Sequence, residues 1–187
     1  MKKRRWIYFV LSAVLVLVVI SSMLSSCATR NVDPTGRRFP TVKARSLSGE
    51  SRELPGDLAG EPAILIIGYV QGAQFDIDRW IMGLMQVKST VRILEVPTID
   101  GIVPTLISSW IDSGMKSGIP SEDWPAVVTV YGNEASHIVA ATGNEQPRNA
   151  RVLLIDAEGR VVWFHDRGFS PAQLMALDAL ARELSNS

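Results

Sequence analysis

Short apolar runs separated by amphipathic segments predict a chain that alternates between strands and helices. Residues 63–68, 91–96 and 127–131 are rich in Ile, Leu and Val. Runs of this length and composition are typical of strands that are buried on both faces of a sheet. The sequence therefore predicts three central strands.

Four amphipathic segments predict helices around these strands. In the first, apolar side chains recur at i, i+3, i+4 and i+7, which places them on one helix face: Ile77, Trp80, Ile81 and Leu84. Residues 105–115 suit a second helix, with Leu106, Trp110 and Ile111 expected to face inward. A short helix over 135–141 follows. Ser170 and Pro171 provide the N-cap and first-turn proline that favour the start of a last helix.

Two pairs of short strands complete the pattern. Residues 42–54 alternate around the turn 48–50, and a second pair of apolar segments flanks the turn 156–159. Each predicts a β-hairpin. Because strands alternate with helices between the hairpins, the expected fold class is α/β, with antiparallel strands added to the sheet.

The amino terminus follows a different pattern. Residues 2–5 are all cationic, residues 6–20 are almost entirely apolar, and Leu24-Ser25-Ser26-Cys27 follows. This order resembles the signal peptide and lipobox of bacterial lipoproteins. The resemblance implies that residues 1–26 are removed and that Cys27 is the lipid attachment site, labelled by palmitate.

The alternative to a lipobox is a signal anchor, because residues 6–24 are nearly long enough to span a bilayer. Either origin places the domain outside the cytoplasmic membrane, on the cell membrane or outer membrane, facing the periplasm or the exterior. Ala28 after the acceptor cysteine favours the outer membrane in a cell with two membranes. Residues 27–38 are polar and predict a flexible tether, and residues 39–187 predict one domain.

The charge balance argues against nucleic acid as a partner. Removing the four cations of residues 2–5 from 19 Lys and Arg leaves 15, against 19 Asp and Glu. The remaining chain is weakly acidic and carries no basic stripe. We therefore expect attachment to the membrane through acyl chains at Cys27 and binding to an envelope protein or complex.

Three segments resemble the thioredoxin-like fold. Leu47-Ser48-Gly49-Glu50 and Leu58-Ala59-Gly60-Glu61-Pro62, ahead of the strand 64–67, are similar to the entry of peroxiredoxin and thiol-oxidoreductase lipoproteins. Residues 152–163 are similar to their closing hairpin, and a Leu-rich helix ends the domain. The resemblance implies a thioredoxin-like three-layer sandwich, with a central mixed sheet, an N-terminal hairpin extension and a closing antiparallel hairpin.

Within that superfamily the chain resembles the mitochondrial ATPase-assembly family (complex subunit ten), which often lacks the cysteine pair. The shared features are the loop 71–76 leading into Trp80, the segments 115–120 and 128–131, and residues 154–163 followed by Gly168. This kinship implies an assembly role, although that family acts in mitochondria and this chain carries a bacterial export signal.

The redox chemistry of the superfamily is missing. The loop 68–76, where a redox relative carries CxxC, contains no cysteine, and Cys27 is the only cysteine of the chain. Asn149-Ala150-Arg151 stands where the family places a cis-proline before the closing hairpin. Thiol-disulfide exchange is therefore excluded, no cofactor is expected, and a binding role is favoured over an enzymatic one.

The loop and first helical turn that bind substrates in thioredoxin-like proteins correspond here to Tyr69, Gln71, Gln74 and Asp76. Free amides at a helix N-terminus suit an anionic or peptide group. If the loop is still used for recognition, all four side chains should be accessible to solvent. Alternatively, Asp76 only complements the helix dipole and the glutamines are solvated.

No metal site is expected. His137 and His165, the only two histidines, have no further ligand at a metal-binding spacing, and both are expected to be surface or packing residues. His165-Asp166 could contact copper, but the cysteine pair used by copper-delivery relatives is missing. The tryptophans are expected to pack in the core and at its rim: Trp80, Trp110, Trp124 and Trp163.

Together these features predict a lipid-anchored, redox-inactive thioredoxin-like domain that binds a protein, as an assembly or chaperone-like factor for an envelope complex. Two alternatives remain open. One is a cysteine-independent hydrolase or peroxide-handling enzyme that uses Gln74, Asp76 or His165. The other is a purely structural lipoprotein.

Overall fold

A computed structural model describes residues 28–101 and 105–186. The predicted signal peptide, the predicted lipid attachment at Cys27 and the side chain of Leu106 lie outside the described residues. Within the described part, none of the helices combines the length and hydropathy needed to cross a membrane.

Seven strands form one mixed sheet in the order β2-β1-β5-β4-β3-β6-β7. They are β1 (Val42–Ser46), β2 (Ser51–Leu54), β3 (Ala63–Gly68), β4 (Arg92–Ile99), β5 (Val128–Tyr131), β6 (Arg151–Ile155) and β7 (Val161–His165). β4 runs parallel to β3 and β5, and the other neighbours are antiparallel. The predicted α/β sheet with one hairpin at each edge is confirmed.

In the described part of the chain, three helices connect strands and a fourth follows β7. They are α1 (Gln74–Gln86), α2 (Thr105–Gly118), α3 (Gly132–Thr142) and α4 (Pro171–Ser185), with short 3₁₀ turns at Gly56–Leu58, Gln71–Ala73 and Ser121–Ala126. The predicted cap of α4 is confirmed, since the Ser170 side chain accepts a hydrogen bond from the Gln173 amide at 3.4 Å.

The two faces of the sheet are covered by different helices. Successive residues of β3 point to opposite faces. Leu65 and Ile67 belong to a core that includes Ile138 of α3, whereas Ile64 and Ile66 belong to a second core that includes Trp80 and Leu177 of α1 and α4. The result is the three-layer arrangement expected from the sequence.

Strand β4 extends beyond the predicted run 91–96. Its first six residues pair with β3, and Thr98 and Ile99 then pair with Val130 and Tyr131 of β5. The end of the strand is set by a partner that is distant in sequence, so the local apolar pattern does not contain it.

Residues 28–38, predicted as a flexible tether, lie along the domain instead of extending away from it. The Thr29 amide donates to the Asn144 side-chain Oδ1 at 2.6 Å, and the Asn144 amide donates to the Thr29 carbonyl at 2.8 Å. The Val32 amide donates to the Thr142 carbonyl at 3.1 Å. A Cβ atom on Gly143 would lie 2.2 Å from the carbonyl oxygen of Arg30, so only glycine allows this approach.

The side chain of Asn31 completes this docking. Its Oδ1 accepts hydrogen bonds from Arg151 Nη2 at 2.8 Å and from the Glu145 amide at 2.9 Å, and its Nδ2 donates to Asp166 at 2.8 Å. Because Arg151 is fully buried, Asn31 contributes an acceptor to a group that cannot reach water.

Candidate functional site

The loop between β3 and α1 carries the predicted binding residues. Gln71 and Gln74 are exposed, as expected, and Gln74 donates its Nε2 to Asp78 at 2.9 Å. Tyr69 is half-buried and its hydroxyl pairs with Thr142. Burial raises the pKa of Tyr69 to about 12, so this hydroxyl stays protonated at neutral pH.

The structure contradicts the solvent exposure expected of Asp76. Its side chain lies in the first turn of α1, as predicted, but the residue is only 7% exposed. One carboxylate oxygen accepts from the Ala150 amide at 2.9 Å and the other from the Phe169 amide at 2.7 Å. These amides belong to loops outside the regular ladders, and a buried N–H needs an acceptor. Asp76 therefore joins α1 to the segments ahead of β6 and α4.

An aromatic cluster packs next to these loops. The fully buried ring of Trp80 lies 6.2, 5.7 and 5.3 Å, between centroids, from Trp163, His165 and Phe169. His165 Nε2 lies 2.8 Å from the Gly168 carbonyl oxygen. His165 is thus the packing residue that was expected. Within the described ranges, no hydrogen bond connects it to Gln74 or Asp76.

The tryptophan expectations are partly wrong. Trp80 and Trp163 pack as predicted, and Trp124 donates its Nε1 to the Ile119 carbonyl at 3.0 Å. Trp110, which was predicted to face inward, is 77% exposed. None of the residues 108–118 of α2 is buried. Although the sequence of α2 is amphipathic, residues 108–118 therefore belong to neither core.

The segment ahead of β6 contains polar contacts where a redox relative has a proline. The Arg151 guanidinium donates to the carbonyls of Gln146 and Asn149, and its carbon atom lies 5.3 Å from the centre of the Tyr69 ring. Burial lowers the pKa of Arg151 from its usual value. The cis peptide bond found among the described residues precedes Pro55, far from this segment in sequence.

A cavity of about 370 Å³ opens between the loop after β3, the end of β4 and helices α1 and α2. Its volume is in the range of protein sites that hold a small molecule or a side chain. Its walls are mainly apolar and include Tyr69, Val70, Ile77, Pro97, Trp110 and Met115. The exposed Gln71 and Gln74 line it as well, so the predicted loop forms part of a concave surface.

Glu95 also lines this cavity and was not among the residues predicted from the sequence. Its neighbours Leu94 and Val96 pack in the α3 core, so the alternation of the strand turns Glu95 toward the α1 side of the sheet. The residue is 8% exposed, and no salt bridge to it is found among the described residues.

Burial raises the pKa of Glu95, and a hydrogen bond from Gln74 partly opposes this effect. The signal that could have identified Glu95 is a single carboxylate inside an otherwise apolar strand. One polar residue does not change the apolar pattern by which such a strand is predicted. Elsewhere in the described ranges, no group of three His, Cys, Asp or Glu side chains is arranged to hold a metal ion.

Comparisons with solved structures show thioredoxin-like neighbours. A candidate protein disulfide isomerase from Bacteroides thetaiotaomicron is 14% identical, with a TM-score of 0.55 over 86% of this chain and 95% of that chain. BsSco, a member of the Sco family of cytochrome c oxidase assembly proteins, is 13% identical, with a TM-score of 0.55 over 83% and 99%. The thioredoxin domain of a thiol-disulfide oxidoreductase from Bacteroides vulgatus is 16% identical, with a TM-score of 0.51 over 79% and 97%.

No family model and no curated protein sequence matches the chain. At the identities of the structural neighbours, the likeness concerns the fold and not the activity. Together with the strand order and the helices on both faces of the sheet, the comparisons show that this chain has a thioredoxin-like α/β fold.

Proposed function

We propose that this protein is a lipid-anchored, redox-inactive thioredoxin-like domain that binds an envelope protein, as an assembly or chaperone-like factor. The main support for this proposal is the cavity that lies beside a loop without cysteine. Trp110 lines this cavity and is 77% exposed. Aromatic side chains at a concave, partly polar surface are typical of protein interfaces.

The chemistry of the loop favours binding over catalysis. Residues 28–187 contain no cysteine, so this part of the chain cannot form a thiolate or a disulfide. Both oxygens of Asp76 accept backbone hydrogen bonds, and His165 is held by a carbonyl and by aromatic rings. The enzyme alternative needs these groups to converge on a substrate, and their contacts do not support it.

The position of the docked amino-terminal segment supports a partner at the membrane. At the start of the described chain, Thr29 is hydrogen-bonded to Asn144. Two residues before Asn144, the Thr142 hydroxyl is hydrogen-bonded to Tyr69, which belongs to the loop that borders the cavity. Gly72 of the same loop lies against Arg148. Ala28 alone lies between Cys27 and Thr29 in the sequence, and two residue steps span at most about 7 Å. A lipid on Cys27 would therefore hold this end of the domain close to the membrane surface.

The assembly role rests on two likenesses. The sequence resembles the mitochondrial ATPase-assembly family, and one structural neighbour belongs to a family of cytochrome c oxidase assembly proteins. Both describe thioredoxin-like domains that act on membrane complexes, which is why we prefer an assembly factor to a purely structural lipoprotein.

Photo-crosslinking in intact cells tests partner binding. A photoreactive amino acid is placed at Gln71 beside the cavity or, as a control, at Met175, which is 58% exposed on α4. We expect a reproducible protein adduct from position 71 and none of the same adducts from position 175. The same adducts from both positions, adducts only with itself or with peptidoglycan, or no adduct at all would contradict the proposal.

The anchor is tested separately by palmitate labelling of the full chain. The Cys27→Ala variant should lose the label and remain unprocessed, while its unfolding midpoint stays unchanged because the core begins at Phe39. Labelled palmitate in the variant would overturn the lipid attachment.

A further inference from the structure

We propose that the cavity beside Glu95 binds a cationic side chain of the partner, Lys or Arg, with its apolar stem against the cavity walls and its charge paired with the Glu95 carboxylate. This inference rests on the proposed function and defines the chemistry of its binding surface.

Among the described residues, no cationic side chain is paired with the Glu95 carboxylate. A buried charge is costly unless it is paired and hydrogen-bonded. Asp178 on α4 is comparably buried and is paired with Arg182 at 2.8 Å. For Glu95 the side chain that lowers its pKa is the neutral Gln74, whose amide donates to Asp78 at 2.9 Å, and no salt bridge to Glu95 is found among the described residues. A cation from outside the chain would complete the pairing.

The described lining of the cavity carries a carboxylate and no positive charge. None of its described lining residues is Lys, Arg or His, and the side chains at 102–107 are uncharged in the sequence. Arg148 lies beside Gly72 but does not line the cavity. Burial raises the pKa of Glu95, and the neighbouring carboxylate of Asp78 adds to this effect. The site therefore has an unmet preference for positive charge.

The walls of the cavity are aliphatic and aromatic, which suits the side chain of Lys or Arg. Ile77, Pro97, Ile111 and Met115 present aliphatic surface, which suits the methylene stem of Lys or Arg. The rings of Tyr69 and Trp110 also line the cavity, and aromatic faces attract cations. A carboxylate in an otherwise apolar cavity repels an anionic ligand, and a neutral ligand cannot pair with the charge of Glu95.

Binding of two small probes to the full chain in detergent micelles tests this site. The probes are n-butylammonium and n-butanol, which have the same stem and differ in the head group, at matched ionic strength. Chemical shifts of the Trp110 indole and the Gly114 amide report on occupancy of the cavity. We expect n-butylammonium to bind about tenfold more tightly than n-butanol, because only the ammonium group can pair with the Glu95 carboxylate.

Three variants make the test specific. Glu95→Gln should abolish the preference for the amine, Glu158→Gln, an exposed control in the β6–β7 turn, should retain it, and Trp110→Ala should weaken it several-fold. Trp110 is exposed, so that variant remains informative if Glu95→Gln fails to fold. Equal binding of both probes by the unmodified chain, or a preference that survives in Glu95→Gln, would overturn the site.

The two proposals fail in different ways. A cross-linked partner without any amine preference would overturn the cationic site and leave protein binding intact. An amine preference without a cross-linked partner would support the site and contradict the protein-binding function.

Discussion

Two buried carboxylates lie near the first turn of α1, and their surroundings differ. Asp76 accepts two backbone amides, from Ala150 and Phe169, and so has its partners within the fold. Glu95 lines an open cavity, and no salt bridge to it is found among the described residues. Burial of a charged group therefore does not identify a binding site by itself. What distinguishes the two is whether the chain supplies the partner.

Removal of the internally satisfied carboxylate should have the largest effect. Asp76→Ala leaves the buried Ala150 amide and the part-buried Phe169 amide without acceptors, and hydrogen bonds to charged groups contribute about 1.5–3 kcal/mol each. We expect the free energy of unfolding to fall by about 3 kcal/mol or more in urea titrations. The matched control Asp78→Ala removes an exposed carboxylate of the same helix and should cost about 0.5 kcal/mol or less. Similar losses in both variants would contradict the contrast.

The docked amino-terminal segment should be the next most sensitive region. Asn31→Ala removes the acceptor for Arg151 Nη2 and for the Glu145 amide, which should cost about 1–3 kcal/mol. The Val32 amide should then exchange faster with solvent, as hydrogen exchange can measure. Asp33→Ala, which removes only a local bond to the Thr35 amide, is the control. Unchanged exchange at Val32 in Asn31→Ala would show that the segment docks without this side chain.

Glu95 should make the stability of the folded protein depend on pH. Its pKa is raised in the folded state, so between the unfolded and folded pKa values the folded protein binds more protons, and stability falls as pH rises. Relative to Glu95→Gln, the unmodified chain should therefore lose stability as pH increases through this window, and the difference between the two proteins should be independent of pH below it. Unfolding midpoints from acid to neutral pH measure this. A flat or rising difference would contradict the raised pKa.

The exposed glutamines should have the smallest effect on stability. The double variant Gln71→Ala/Gln74→Ala should change the free energy of unfolding by about 0.5 kcal/mol or less, because both side chains are exposed. Partner binding should nevertheless weaken, as measured by cross-linking from Gly114, where an added side chain meets open space. Unchanged adduct yield from a folded double variant would move the binding surface away from this loop.

The fold was predictable because its strands and helices carry strong local patterns. The apolar run of β3, the helix face through Trp80 and the Ser170 cap all appear in the structure where the sequence places them. The site was less predictable, since it depends on contacts between distant segments. The burial of Asp76 depends on loops ahead of β6 and α4, and the docking of residues 28–38 depends on Asn144 and Arg151.

Helix α2 and Glu95 show the limits of periodicity. The pattern of α2 is amphipathic, yet Trp110 lines a cavity and is 77% exposed, so it does not pack in a core. Glu95 interrupts an apolar strand by one residue, and only the three-dimensional position of α1 and α2 gives it a cavity to face.

The most direct test combines the cavity and its carboxylate in living cells. A photoreactive residue at Gly114 is combined with Glu95→Gln or with the control Glu158→Gln, and the yield of the partner adduct is compared with that of the unmodified chain. Partner binding through the cavity predicts a yield that falls at least about tenfold in Glu95→Gln, as for loss of one charged contact, and stays unchanged in Glu158→Gln. An equal yield in all three proteins, each folded and present in equal amounts, would contradict it.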